Sequence, residues 1–84
     1  MSVKTPTLAE VVKDARARKF LSQSELAKIS GVSLQTVRDV EQGVIKKYSK
    51  IILYRLEKAL DIQDTFLVKK SQTEYENFIK RKDF

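Results

Sequence analysis

The chain contains neither cysteine nor histidine, which removes disulfides, thiolate chemistry, zinc fingers, Ser-His and Cys-His nucleophilic pairs and any imidazole acid or base. A carboxylate Mg²⁺ site or a Ser-Lys pair would still be chemically available, but 84 residues offer little wall with which to enclose and desolvate one. The expectation is a non-enzymatic protein with no cofactor and no metal. Proline occurs once, at Pro6, and glycine twice, at Gly31 and Gly43, so intrinsic helix breakers are sparse. No apolar run is longer than Ile51–Tyr54, against the ~20 residues that span a bilayer, and no signal-peptide core follows the amino terminus. A cytoplasmic protein without a membrane partner is expected. Acid is the scarcer charge: 11 Asp and Glu against 17 Lys and Arg leave a net +6, the electrostatic footprint of a partner for a polyanion, with nucleic acid ahead of a membrane surface.

What is present reads as an all-α chain with one small core, a bundle of about five short helices with a possible extra C-terminal helix. Leu8, Val11, Val12 and Ala15 recur at helical spacing, and Thr7 with Glu10 forms a capping box ahead of them. Ser22 with Glu25 repeats that box, predicting a second helix over Gln23–Ser30 that Gly31 can end in the left-handed conformation. A third pattern, Leu34, Val37, Val40 and Glu41, closes at Gly43, and Ser49 caps a fourth that carries Ile52, Leu53, Leu56, Ala59 and Leu60. Ile62, Phe66 and Leu67 suggest a short fifth helix from Gln63 or Asp64. In the polar stretch that follows, Ser71 and Glu74 look like a further capping box before Tyr75, Phe78 and Ile79. The expected division is therefore a helical domain over 1–68 and a tail over 69–84.

Two short helices joined by a tight Gly turn over 22–42 have the form of a helix-turn-helix, whose second helix enters the DNA major groove. Taking Val37 as the buried direction and stepping 100° per residue puts Val40 and Glu41 inward, and Gln35, Arg38, Asp39 and Gln42 outward or on the flanks, with Leu34 at the edge. These outward types read base edges: Gln pairs with adenine, Arg forks onto guanine, Asp accepts from cytosine, and Leu34 can touch a thymine methyl. A solvated face of a ligand-free bundle would also be polar; the agreement of turn, charge and the neighbouring basic loop with Lys46, Lys47 and Lys50 favours the DNA reading.

The stretch Leu21–Gly43, LSQSELAKISGVSLQTVRDVEQG, resembles the signature of the Cro and phage-repressor (XRE) family, with Ser22-Gln23 opening helix two, Gly31-Val32-Ser33 at the turn and Glu41-x-Gly43 closing helix three. The likeness extends from about Leu8 to Leu67. It implies that Gln23 touches a phosphate and braces Gln35, a principal base reader, and that Leu34, Arg38 and Asp39 occupy other base-facing positions. Thr36, Gln42 and Lys46 fall where family members touch the DNA backbone. The resemblance also pairs Glu41 with Arg16, an ion pair expected to fix helix three on helix one. Two positions depart from the family pattern. Ser30 replaces a common apolar residue and can bond back to a helical carbonyl; Tyr48 replaces a common Pro and, beside Lys46, Lys47 and Lys50, either donates to a phosphate or packs its ring.

One recognition helix reads only four or five base pairs, so a two-fold dimer on a near-palindromic site is expected. Phe66, Leu67, Tyr75, Phe78 and Ile79 are candidates for its interface, or else for the core of a monomer. The resemblance implies a small DNA-binding transcriptional regulator, most often a repressor, of prokaryotic, phage or mobile-element origin. The alternative is a protein-interaction module, such as an antitoxin, whose tail folds onto a partner protein. A nuclease with Asp39 and Glu41 as metal ligands fails because the two point to opposite sides of the helix.

Overall fold

Each of the first four helices begins where a hydroxyl side chain can take up a free backbone N–H. Thr7 accepts from the Glu10 N–H and Ser22 from the Glu25 N–H, each answered by the glutamate carboxylate, while Ser33 and Ser49 accept from Thr36 and Ile52. Such caps contribute about 1 kcal/mol each. They open α1 (Leu8–Arg18), α2 (Gln23–Ser30), α3 (Leu34–Glu41) and α4 (Lys50–Leu60) of the computed structural model, which describes residues 5–82; α5 (Phe66–Lys82) completes an all-α fold. Residues 1–4 and 83–84, which fall in the expected domain and tail, lie outside the described residues. Among the described residues no helix is long and apolar enough to cross a membrane.

α3 packs on α1 and α2, α2 on α4, and α5 lies against α4 and α1. Val12, Leu26, Val37, Leu53, Leu56 and Leu67 are fully buried where these faces meet, and each such side chain contributes roughly 1.5–3 kcal/mol of transfer free energy. Gly31 at φ +74 ends α2, and Asp61, the C-cap of α4, adopts the left-handed conformation at φ +55. Past α3, Gly43 at φ +81 lets its own N–H and that of Val44 return to the Val40 and Asp39 carbonyls, the paired bonds of a Schellman motif.

The carboxyl-terminal region differs from the sequence expectation of two short helices. α5 runs unbroken from Phe66, so residues 68 and 69 are consecutive residues of one helix, and Ser71 is a buried residue in its second turn, not a cap. Its start is set from a distance: the buried Glu57 carboxylate accepts from the Thr65, Leu67 and Val68 N–H groups at 3.0, 2.8 and 3.3 Å. Glu74, expected to serve Ser71, accepts instead from the Leu8 N–H at 2.7 Å and ties α5 to the start of α1. Leu67 is wholly buried against the other helices of its own chain, which corrects its place among the interface candidates. Phe66 remains 40% exposed with the Lys70 ammonium 5.8 Å from its ring centre; Tyr75 and Phe78 are half-buried and Ile79 is exposed.

Candidate nucleic-acid interface

The angle between α2 and α3 is set by three residues and a distant arginine. Gly31 takes the left-handed turn, Val32 plugs into the core, and Ser33 restarts the helix. Arg55 of α4 donates to the Gly31 carbonyl at 3.2 Å, and the Ser30 hydroxyl donates back to the Leu26 carbonyl at 2.6 Å. α3 is further held from behind by a buried carboxylate. Glu41, 2% exposed, accepts from Arg16 Nε at 2.7 Å and Arg16 Nη2 at 2.9 Å, while Arg16 Nη1 donates to the Leu21 carbonyl at 2.8 Å. The hydrogen bond to Glu41 raises the guanidinium pKa against the opposing effect of desolvation. Gln23 Nε2 adds a bond of 3.2 Å to the same carboxylate. α1, the start of α2 and the end of α3 thus converge on one buried group.

Gln23 therefore does not brace Gln35, contrary to the sequence expectation. Gln35 Nε2 donates instead to Asp39 Oδ1 at 2.9 Å, one helical turn along α3. The other oxygen, Asp39 Oδ2, accepts from Lys46 Nζ at 3.1 Å. Those two bonds, that of Gln35 first, hold the Asp39 carboxyl below its ordinary pKa. Arg38 is exposed beside this group, and its side chain makes no hydrogen bond or ion pair among the described residues, leaving the guanidinium fork free. Leu34 and Thr36 are half-buried at the start of the helix, where the Thr36 hydroxyl oxygen accepts from Ser33 Oγ at 2.8 Å, and Gln42 is exposed at its end.

The loop after α3 and the first residue of α4 carry further cations. Lys46, Lys47 and Lys50 are exposed, with Lys46 Nζ also 5.2 Å from the Tyr48 ring centre. Tyr48 packs its ring at 8% exposure and donates its single hydroxyl proton to the Val44 carbonyl at 2.7 Å. Burial, with the charges of Asp39 and Glu74, pushes its pKa up to about 12. A phosphate oxygen only accepts, so the hydroxyl as placed has nothing to offer it. Of the two roles open to Tyr48, phosphate donor or packed ring, the structure has the packed ring, with the hydroxyl fastened to the lysine loop. The Ser22–Glu25 box takes up the Ser22 and Glu25 N–H groups at the start of α2, a helix end of the kind that attracts anions.

Sequence reasoning missed the Gln35–Asp39–Lys46 chain. Its local half was legible as an i, i+4 pair, whereas the Lys46 half depends on the path taken by the loop. The assembled face offers the Gln35 amide, the free Arg38 guanidinium and the Lys46 ammonium from α3 and the loop after it, a donor set suited to base edges and phosphates. A family model described as helix-turn-helix matches residues 12–67. No curated protein and no solved structure matches the chain.

Proposed function

Because the chain belongs to the Cro and phage-repressor (XRE) family of helix-turn-helix DNA-binding regulators, we propose that it acts as a dimeric, sequence-specific repressor that occupies a near-palindromic operator. The observation that carries this reading is the exposed face of α3, where Gln35 and Arg38 stand beside the Lys46 loop on a helix whose back is fastened by Glu41. α3 lies in the major groove; Gln35 and Arg38 read bases, and Leu34 meets a thymine methyl at the edge. Phosphates are held by Thr36, Gln42, Lys46, Lys47 and Lys50, and by the first turn of α2 at Gln23. Two copies related by a two-fold axis place their α3 helices about one DNA turn, ~34 Å, apart. Tyr75, Phe78 and Ile79, which lie within about 100° of one another around α5, supply the apolar surface for pairing, while Phe66 lies on the other side of the helix. Repression follows from covering a promoter, in the cytoplasm and without a cofactor or catalysis.

A reading in which the tail serves a partner protein draws less support, because α5 is committed to its own domain through Leu67, Val68, Ser71 and Glu74. The test is selection of bound duplexes from a random pool, followed by titration of the selected duplex at 50 and 200 mM salt. Enrichment of an inverted repeat, with about 10³-fold weaker binding at the higher salt for roughly six neutralised phosphates, is the expected result. An unenriched pool with weak, salt-abolished binding would overturn it.

A further inference from the structure

We infer that Asp39 is a positioning residue that joins base reading to phosphate binding: its carboxylate brackets the Gln35 amide and the Lys46 ammonium into one pre-ordered unit. The inference rests on the DNA-binding reading above and goes beyond it. An aspartate on a surface that meets a polyanion ought to weaken binding, since its charge repels phosphates and offsets one lysine. Its geometry gives it another use. Each carboxylate oxygen is engaged, Oδ1 by Gln35 Nε2 at 2.9 Å and Oδ2 by Lys46 Nζ at 3.1 Å, and only 20% of the side chain is exposed. The backbone of the same residue holds the loop as well, its carbonyl accepting from the Val44 N–H at 3.0 Å. The Val44 carbonyl in turn takes the Tyr48 hydroxyl proton, and the Tyr48 ring lies under the Lys46 ammonium. One residue therefore ties the side chain of a base reader, a phosphate-facing cation and the loop that carries it.

The bracket leaves the recognition atoms usable. An amide nitrogen has two protons, so with one directed at Asp39, Gln35 keeps a second donor and its Oε1 acceptor, the pair needed for a bidentate contact with adenine. A free glutamine samples several rotamers of low cost and would lose that freedom only on binding. Lys46 retains two ammonium protons for a phosphate. Order in the free protein thus lowers the entropic cost of docking, and a mismatch at the Gln35 base pair disturbs the lysine contact through the shared carboxylate.

The experiment compares the full chain with Asp39→Ala and Asp39→Asn on the selected duplex, on the same duplex substituted at the Gln35 base pair, and on unrelated DNA, each over a salt series. Asp39→Ala is expected to tighten binding to unrelated DNA, because an acidic group is gone. It is expected to reduce discrimination at the Gln35 base pair by about fivefold or more per half-site, the lower end of what one bidentate contact contributes, and to lower the salt slope by up to about 1 per half-site as Lys46 loses its place. Asp39→Asn, which keeps an acceptor for Gln35 but no charge for Lys46, retains base discrimination and loses salt slope. In the unbound proteins, the Gln35 side-chain amide NMR signals should shift strongly with Asp39→Ala and little with Asp39→Asn. Equal tightening on all three duplexes would overturn the inference and leave Asp39 a bystander acid. Loss of preference at a different, cytosine-bearing base pair would also overturn it, by making Asp39 a direct reader. If the unsubstituted protein selected no sequence, the DNA reading itself would fail and the inference with it. An unmoved Gln35 amide signal in Asp39→Ala would overturn the bracket alone.

Discussion

Replacing Glu41 by alanine is expected to cost about 3 kcal/mol of folding stability. The carboxylate is 2% exposed and accepts three hydrogen bonds, two from Arg16 and one from Gln23. Breaking a buried ion pair by deleting one partner costs about 3–5 kcal/mol, mostly by stranding the other charge. The Arg16 side chain is 22% exposed and can regain water, which places the loss at the lower end. For a domain of this size 1 kcal/mol corresponds to roughly 4–8 °C in Tm, so the variant should melt about 12–24 °C lower. Alanine is a better helix former than glutamate, so the local propensity acts in the opposite direction and cannot produce the drop. Circular dichroism melts of Glu41→Ala should be set beside Asp14→Ala, whose bridge to Arg18 spans 3.3 Å between largely exposed side chains and should leave Tm almost unchanged. A Glu41→Ala midpoint within about 4 °C of the parent, a loss below about 1 kcal/mol, would refute the role given to this pair.

Glu57→Ala removes the acceptor for three backbone N–H groups at the start of α5, so amide exchange there should accelerate well before global unfolding; equal protection with and without Glu57 would contradict the capping role. Gly31→Ala forces a side chain to φ +74 with its Cβ 3.4 Å from Arg55 Nη1, and is expected to lower Tm by several degrees for about 1 kcal/mol of strain. Tyr48 should ionise near pH 12 in an ultraviolet titration. Because its folded pKa is raised above the unfolded value near 10, its contribution to stability is fully present below pH 10 and is lost as the pH rises towards about 12. A phenolate signal complete by pH 10.5 would contradict its burial.

The four amino-terminal helices were legible because their signals are local. Thr7, Ser22, Ser33 and Ser49 each sit within three residues of the N–H they accept, and Gly31 and Gly43 mark left-handed turns that a side chain would resist. The same local logic failed at Ser71 and Glu74, a pair with capping-box spacing that lies within one continuous helix. Burial of Leu67, Val68 and Ser71 continues the helix through that point, and the Glu74 carboxylate finds Leu8, 66 positions away. Glu57 sits at an inward position of the α4 apolar stripe, four residues after Leu53, which marks it as a buried acid. Which N–H groups it serves depends on how the chain folds back after Asp61. On α3, helical spacing identified the outward residues and the i, i+4 relation of Gln35 to Asp39, while the partners of Gln23, Lys46 and Tyr48 were set by side-chain packing that periodicity does not encode.

The most direct test of the central claim, that α3 reads bases while the following loop holds phosphates, is a titration of Gln35→Ala and Lys46→Ala against the selected duplex and its single-base variants. The expected result is that Gln35→Ala loses preference at one base pair of each half-site, about 1–3 kcal/mol of discrimination, with the other positions still read. Lys46→Ala should instead weaken binding to every variant alike and lower the salt slope by about 1 per half-site. Uniform weakening by both substitutions, with every base preference intact, would contradict the placement of α3 in the major groove.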